Sequence, residues 1–106
     1  MSGPLPQPFV TVARTNEIAP GDRKIVEVRG IEIAVLNIHG TFYAVGNTCP
    51  HEGGPVGEGS VNGEEIICPW HAWTFNVKTG ACVTTEDETI PTYPVKIEGD
   101  EIKVSA

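Results

Sequence analysis

Four residues in the middle of the chain carry side chains that bind metals. The segment "CPHEGG" contains Cys49 and His51, and the segment "CPWHAW" contains Cys68 and His71. The pattern is C-x-H, a gap of sixteen residues, then C-x-x-H. Thiolate sulfur and imidazole nitrogen are common ligands of zinc and of iron. Because each segment supplies one sulfur and one nitrogen, the spacing predicts a metal centre held between two similar loops.

Two kinds of metal centre are compatible with this ligand set. In a two-iron cluster, one iron would bind Cys49 and Cys68 and the other iron would bind the two histidines. A structural zinc ion also accepts two cysteines and two histidines. Zinc sites usually pair like ligands on each loop, as C-x₂₋₄-C followed by H-x₃₋₅-H, whereas here each loop is mixed and C-x-H is short for a single metal. The spacing therefore favours the two-iron cluster, with a zinc-stabilised binding domain without redox function as the alternative.

The length and cysteine content indicate one small intracellular domain. A chain of 106 residues suits a single domain. No stretch approaches the roughly 20 apolar residues of a membrane helix, and the opening "MSGPLPQPF" lacks the basic and apolar segments of a signal peptide, so a cytoplasmic location is expected. We predict a flexible lead-in over 1–8 and one domain over 9–106. With two of three cysteines in the metal motif, Cys82 has no partner for a disulfide and is expected to pack as a small apolar residue.

The charge of the chain is acidic and unevenly distributed. The formal net charge is −7, and no Lys or Arg lies between Arg29 and Lys78. The same segment contains five acidic residues: Glu32, Glu52, Glu58, Glu64 and Glu65. Nucleic acid binding requires clustered basic residues, so it is excluded as a function. The acidic surroundings of the metal motif instead predict protein partners with basic docking surfaces.

Short strands and tight turns dominate the rest of the sequence. The strands "KIVEV" (24–28) and "IEIAVLNI" (31–38) alternate apolar and polar residues, which predicts a sheet with one buried face. "TFYAV" (41–45) follows a turn at His39-Gly40, where His39 is expected to be exposed. Asn62-Gly63 predicts a hairpin, and Gly99-Asp100 predicts another. Together these signals predict an all-β antiparallel domain.

The motif and the segments around it resemble the Rieske [2Fe–2S] ferredoxin family. The resemblance covers "FYAVGNTCPHEGGPVGEGSVNGEEIICPWHAWTFNVKTGACV" and the closing strands "PTYPVKIEGDEIKVS". It implies an antiparallel β-sandwich base with a small cluster-binding subdomain of two metal loops, over about 46–76. It also implies one Rieske-type [2Fe–2S] cluster per chain, with Cys49 and Cys68 on the inner iron and His51 and His71 on the outer iron.

The chain departs from the respiratory-complex members of this family in both loops. Those members carry a disulfide whose cysteines match Gly54 and Trp70 of this chain, and a hydrogen-bonding Ser soon after the second histidine, where this chain has Ala72-Trp73. Fewer donors to the cluster favour its oxidised state. We therefore predict a reduction potential toward the low end of the Rieske range of about −150 to +300 mV.

The resemblance implies a soluble, monomeric one-electron carrier that is not an enzyme by itself. Its partners would be a flavin-dependent reductase and a terminal oxygenase. The alternative is the small subunit of an assimilatory nitrite reductase, bound to the large subunit. The Rieske oxygenases activate oxygen at a mononuclear iron held by two histidines and a carboxylate. After cluster ligation, His39 is the one histidine left in the sequence, so this chain cannot supply that site.

Overall fold

The computed structural model of the protein describes residues 8–50, 53–70, 72–85 and 88–106. Within these ranges the chain forms ten strands and two single-turn 3₁₀ helices, at Thr15–Glu17 and Val56–Glu58. The strands are β1 (Phe9–Arg14), β2 (Arg23–Val28), β3 (Ile31–Ile38), β4 (Thr41–Gly46), β5 (Ser60–Asn62), β6 (Glu65–Ile67), β7 (Thr74–Asn76), β8 (Thr92–Tyr93), β9 (Val95–Glu98) and β10 (Glu101–Ser105). The predicted all-β fold is confirmed. In the described part of the chain, no helix is long and apolar enough to cross a membrane.

The strands form three sheets in which the paired strands run antiparallel. The first sheet has the order β1-β10-β9, the second β2-β3-β4-β8, and the third β5-β6-β7. The first and last strands of the chain therefore pair with each other, which closes the base of the domain. The third sheet lies within the predicted cluster-binding segment, 46–76; the boundaries of that subdomain remain a prediction. Of the predicted lead-in, residues 1–7 lie outside the described residues.

Tight turns set the register of the central sheet. Arg29 and Gly30 between β2 and β3 both have positive φ, as do His39 and Gly40 between β3 and β4. Two-residue loops with two positive φ values match the right-handed twist of the strands they join. His39 is exposed in its turn, as predicted. The predicted Asn62-Gly63 hairpin exists with a shift of one residue, because Asn62 pairs with Glu65 and the loop is Gly63-Glu64.

Strand β3 is buried on both faces, so the prediction of one buried face was wrong for this strand. One face contributes Ile33 and Val35 to a core shared with β10. The other face contributes Ala34, Leu36 and Ile38 to a second core that includes β6 and β7. The second sheet is therefore a middle layer, because the third sheet covers the face that would otherwise meet solvent. The sequence of β3 could not show that both faces are buried. Its two polar residues are Glu32 and Asn37, and Asn37 is itself buried.

The second core holds both cysteines of the metal motif. Cys49 follows β4 and Cys68 follows β6, and both belong to the cluster of buried side chains around Ile66 and Phe75. The first loop thus extends from the middle sheet, and the second loop connects β6 to β7. Because both cysteines are packed into one apolar core, the positions of the two loops are fixed by tertiary packing as well as by their own turns.

Candidate metal centre

Equivalent backbone hydrogen bonds close the two loops that carry the cysteines. The N–H of Cys49 donates to the carbonyl of Gly54 at 2.8 Å, and the N–H of Cys68 donates to the carbonyl of Trp73 at 2.7 Å. In each loop the acceptor lies five residues after the cysteine. The fourth residue after each cysteine has positive φ: Gly53 at 77° and Ala72 at 58°. The loops therefore share one backbone design, although at matched positions their sequences share only the cysteine and the proline that follows it.

The two thiols lie side by side in an apolar environment. Cys49 is 2% exposed and Cys68 is 1% exposed, and neither forms a disulfide. Burial raises the pKa of the Cys68 thiol, the backbone N–H of Trp70 opposes this shift, and the neighbouring Cys49 side chain raises the pKa further. The buried Cys68 thiol is therefore a poor thiolate on its own. A bound cation reverses this situation, since a coordinating thiol is deprotonated outright.

This donor set fits the sulfur side of an iron–sulfur cluster. Sulfur atoms from two loops lie next to each other in one apolar core, and the backbone N–H of Trp70 lowers the pKa of the Cys68 thiol. Among the residues that the structure describes, no third Cys, His, Asp or Glu joins the two cysteines. The two predicted histidine ligands, His51 and His71, lie outside the described residues. Their assignment as ligands therefore remains a prediction.

A buried asparagine that the sequence analysis missed anchors the first loop. Asn47 lies between β4 and Cys49 and is 4% exposed. Its backbone N–H donates to the carbonyl of Glu32 at 3.1 Å, and its own carbonyl accepts the N–H of Val56 at 3.0 Å. Its side-chain oxygen accepts the N–H of Gly57 at 2.6 Å, and its side-chain nitrogen donates to the Glu32 carboxylate at 3.2 Å. The loop is thus tied to β3 on one side and to the glycine-rich segment on the other.

Gly54 and Trp70, which belong to different loops, are in contact. A Cβ atom on Gly54 would lie 2.8 Å from both Cγ and Cδ2 of Trp70 and 3.1 Å from Sγ of Cys68. The indole therefore occupies the space beside this glycine. These are the two positions at which the chain departs from the disulfide of the respiratory-complex members, and the structure brings them together.

Cys82 and Trp73 pack in or against the second core. Cys82 is buried beside Phe75 in the second core and accepts the N–H of Thr85 at 3.4 Å. The prediction that it packs as a small apolar residue is confirmed, although it forms an isolated bridge and not part of a strand. Trp73 packs against the same core, which anchors the second loop.

The acidic segment is partly neutralised in space. Lys78 lies just beyond the segment that lacks basic residues, and its Nζ atom is 2.8 Å from the Glu64 carboxylate. This pair is half exposed and contributes little to stability. It does remove one unpaired negative charge from the region of the third sheet. Glu58, which lies in the described part of the segment after the first loop, is exposed.

Comparison with known proteins decides which centre these loops hold. The family model for the Rieske [2Fe-2S] domain matches residues 8–94, which is most of the chain. The chain belongs to the Rieske [2Fe–2S] family. Its cofactor is accordingly a [2Fe–2S] cluster, and the zinc alternative is set aside.

Similar proteins cover the Rieske domain from end to end. The ferredoxin component of the naphthalene 1,2-dioxygenase system of Pseudomonas aeruginosa is 36% identical over 94% of this chain and 97% of its own length. A chain in the complex of reduced oxygenase and oxidized ferredoxin in carbazole 1,9a-dioxygenase is 29% identical, with a TM-score of 0.87 and coverage of 93% and 94%. A putative NADH-dependent nitrite reductase small subunit from Mycobacterium tuberculosis has a TM-score of 0.88 at 24% identity, covering 94% and 96%. The last likeness shows the fold alone.

These relatives confirm the class of function predicted from the sequence. The curated relative is a ferredoxin component, which is an electron carrier and not the catalytic subunit of its system. The Rieske chain described here is likewise an electron-transfer component of a multi-component oxidoreductase system.

Proposed function

We propose that this Rieske protein is a monomeric, cytoplasmic ferredoxin that passes single electrons from a flavin-dependent reductase to the terminal oxygenase of a dioxygenase system. The observation that carries the proposal is the end-to-end likeness to the ferredoxin component of a naphthalene 1,2-dioxygenase system. A complex of oxygenase and ferredoxin is among the similar structures, which supports the oxygenase as the acceptor. The flavin-dependent reductase is inferred from the family resemblance, and its basic docking surface from the acidic residues around the metal motif.

The proposed ligands are Cys49 and Cys68 for one iron and His51 and His71 for the other. The shared closure of the two loops supports this set, because Cys49 and Cys68 take the same position in two loops of the same backbone design. When bound, the cluster supplies a centre that takes up and releases one electron. The chain's own contribution is to keep water away from Cys49 and Cys68 and to hold both loops on one core.

The ligand set is tested by reduced-state electron paramagnetic resonance. We expect the His51→Cys and His71→Cys variants to lose or strongly alter the Rieske-type signal of the wild-type protein. The exposed turn residue His39 provides the matched control, since His39→Cys should leave the signal unchanged. An unaltered spectrum in either loop variant would remove that histidine from the ligand set.

The proposed acceptor is tested by rapid-mixing kinetics. The reduced protein is mixed with an oxidised terminal oxygenase of the naphthalene dioxygenase type, and electron transfer is followed in the visible spectrum. We expect a second-order rate that falls as salt is raised, because acidic side chains around the cluster loops would meet a basic surface. A negligible rate at every salt concentration would reject this class of acceptor.

The nitrite reductase alternative is separated by the state of the native protein. A carrier should leave native extract as a free chain, whereas a subunit should co-purify with a large flavoprotein. The co-purification test is needed because the chain also has the fold of a nitrite reductase small subunit.

A further inference from the structure

Trp70 joins the two cluster loops through a close contact with Gly54. The two residues lie in different loops, and the indole carbons Cγ and Cδ2 approach the Gly54 backbone so closely that a Cβ there would lie 2.8 Å from each of them. Such a distance is shorter than van der Waals contact, so only glycine allows the ring to lie in this place. Gly54 is also buried, whereas Trp70 remains 48% exposed. One face of the indole is therefore packed and the other meets solvent.

The same contact covers a cysteine of the metal site. The Cβ position of Gly54 lies 3.1 Å from Sγ of Cys68, so the indole, the glycine and the sulfur meet at one point. Cys68 is 1% exposed, although it is only two residues from the half-exposed Trp70. Removing the Trp70 indole would thus change the solvent access of Cys68.

We propose that Trp70 is a positioning residue that acts as a noncovalent clasp: its ring packs on Gly54, holds the second loop against the first, and keeps water from the Cys68 sulfur. The inference concerns retention of the cluster and is independent of which protein accepts the electron. It assigns a function to an exposed aromatic side chain that would otherwise count as part of a general docking surface. Its failure would leave the proposed electron-transfer function intact.

The first test compares Trp70→Ala with Trp70→Phe. Removal of a residue that supports metal ligands typically weakens metal binding by about 10- to 100-fold. We expect Trp70→Ala to lose the visible absorption of the cluster in air about 10- to 100-fold faster than wild type. We also expect its midpoint potential to rise, because water beside the sulfur stabilises the more negative reduced state. Trp70→Phe should restore most of the lifetime and the wild-type potential.

The control is a similar truncation elsewhere on the surface near the third sheet. Val83 is 56% exposed, and its N–H donates to the Thr74 carbonyl. Val83→Ala should leave both the cluster lifetime and the potential unchanged. If Trp70→Ala behaves like Val83→Ala, the clasp does not exist.

A double-mutant cycle tests the contact itself. Gly54→Ala should shorten the cluster lifetime in the wild-type background, since the new methyl group displaces the indole. In the Trp70→Ala background the same change should shorten the lifetime by a clearly smaller factor. Equal factors in both backgrounds would show that the two residues act independently, which would overturn the proposal.

A covalent replacement provides the third test. Because a carbon–carbon bond is about 1.5 Å long, the contact limits the Cβ–Cβ separation of residues 54 and 70 to at most about 4.3 Å, within reach of a disulfide. We expect the Gly54→Cys/Trp70→Cys protein to form this disulfide, seen as a mass loss of two hydrogens, and to regain a long cluster lifetime that dithiothreitol abolishes. Trp70→Cys alone should stay short-lived. Absence of the disulfide, or a disulfide without regained lifetime, would contradict the clasp.

Discussion

The side-chain oxygen of Asn47 accepts the backbone N–H of Gly57 at 2.6 Å, across the loop that carries Cys49. The side-chain nitrogen of the same asparagine reaches Glu32 on β3. Gly57 is equally constrained, because a Cβ there would lie 2.5 Å from the Asn47 oxygen and 2.6 Å from the Ala34 side chain. The pair therefore fixes the distance between the middle sheet and the segment that follows the first metal loop.

Replacing Asn47 with alanine should destabilise the protein and loosen its first loop. The buried N–H of Gly57 would lose its acceptor, and a buried unsatisfied group costs about 1–3 kcal/mol. We expect the free energy of unfolding, measured by urea titration of the holoprotein, to fall by about this amount. Asn16→Ala, at an exposed position in the first 3₁₀ turn, is the control and should change it by less than about 0.5 kcal/mol. Equal effects of the two changes would refute the anchoring function.

Gly59→Ala should be among the most damaging small substitutions in the chain. A Cβ on Gly59 would overlap the carbonyl of Ile67, the residue directly before Cys68. The backbone of Gly59 has an ordinary φ of −81°, so the loss comes from the collision and not from backbone strain. Because a backbone carbonyl cannot rotate away, we expect a loss of more than about 3 kcal/mol and poor incorporation of the cluster, measured by urea titration and by iron content.

The matched control for Gly59→Ala is Gly99→Ala. Gly99 has a φ of 62° in the β9–β10 turn and open space around it. Its substitution adds backbone strain of about 1–2 kcal/mol without any collision, far from the metal loops. We expect full cluster content in this variant. A Gly59→Ala protein with full cluster content would show that the β6 backbone adjusts more easily than the packing indicates.

The local elements of this fold could be predicted from the sequence. Strand β3 was predicted with its observed bounds, Ile31–Ile38, and β2 and β4 were predicted within one residue. The reason is that alternation and glycine-containing turns act over neighbouring residues. The metal motif was recognisable for a similar reason, since its four predicted ligands come in two short segments.

The relationships between distant segments could not be predicted in this way. Two-sided burial of β3 depends on the third sheet, which begins more than twenty residues later in the chain. The anchoring of Asn47 depends on Glu32 and Gly57, and neither has a sequence signal that links it to an asparagine. The packing of Trp70 on Gly54 also arises from the way the β6–β7 hairpin lies against the first loop.

The midpoint potential of the wild-type protein should lie below zero, toward the low end of the Rieske range of about −150 to +300 mV. Hydrogen bonds to the cluster stabilise its reduced, more negative state, so fewer donors lower the potential. The position after the second histidine is Ala72, and the nearby hydroxyl of Thr74 donates to the Ala72 carbonyl at 3.4 Å. Protein-film voltammetry at neutral pH measures the potential directly. A value well above zero would contradict this prediction and would require further hydrogen-bond donors to the cluster.

Acid should weaken the base of the domain through Glu98. This carboxylate contacts Lys103 at 2.8 Å and Lys96 at 2.9 Å, and the hydrogen bond from Lys103, followed by that from Lys96, lowers its pKa to about 2. A lowered folded-state pKa stabilises the protein fully above the ordinary value of 4.5, and this contribution disappears as the pH falls from 4.5 toward 2.

The free energies of unfolding of wild type and Glu98→Gln, measured by urea titration with circular dichroism, should therefore differ at pH 6 and converge near pH 2. The difference at pH 6 should be small and should shrink in high salt, because the pair is exposed. Glu101→Gln is the control, since its contact with Lys103 is longer at 3.8 Å. A difference that persists unchanged at pH 2 would show that Glu98 acts through packing and not through its charge.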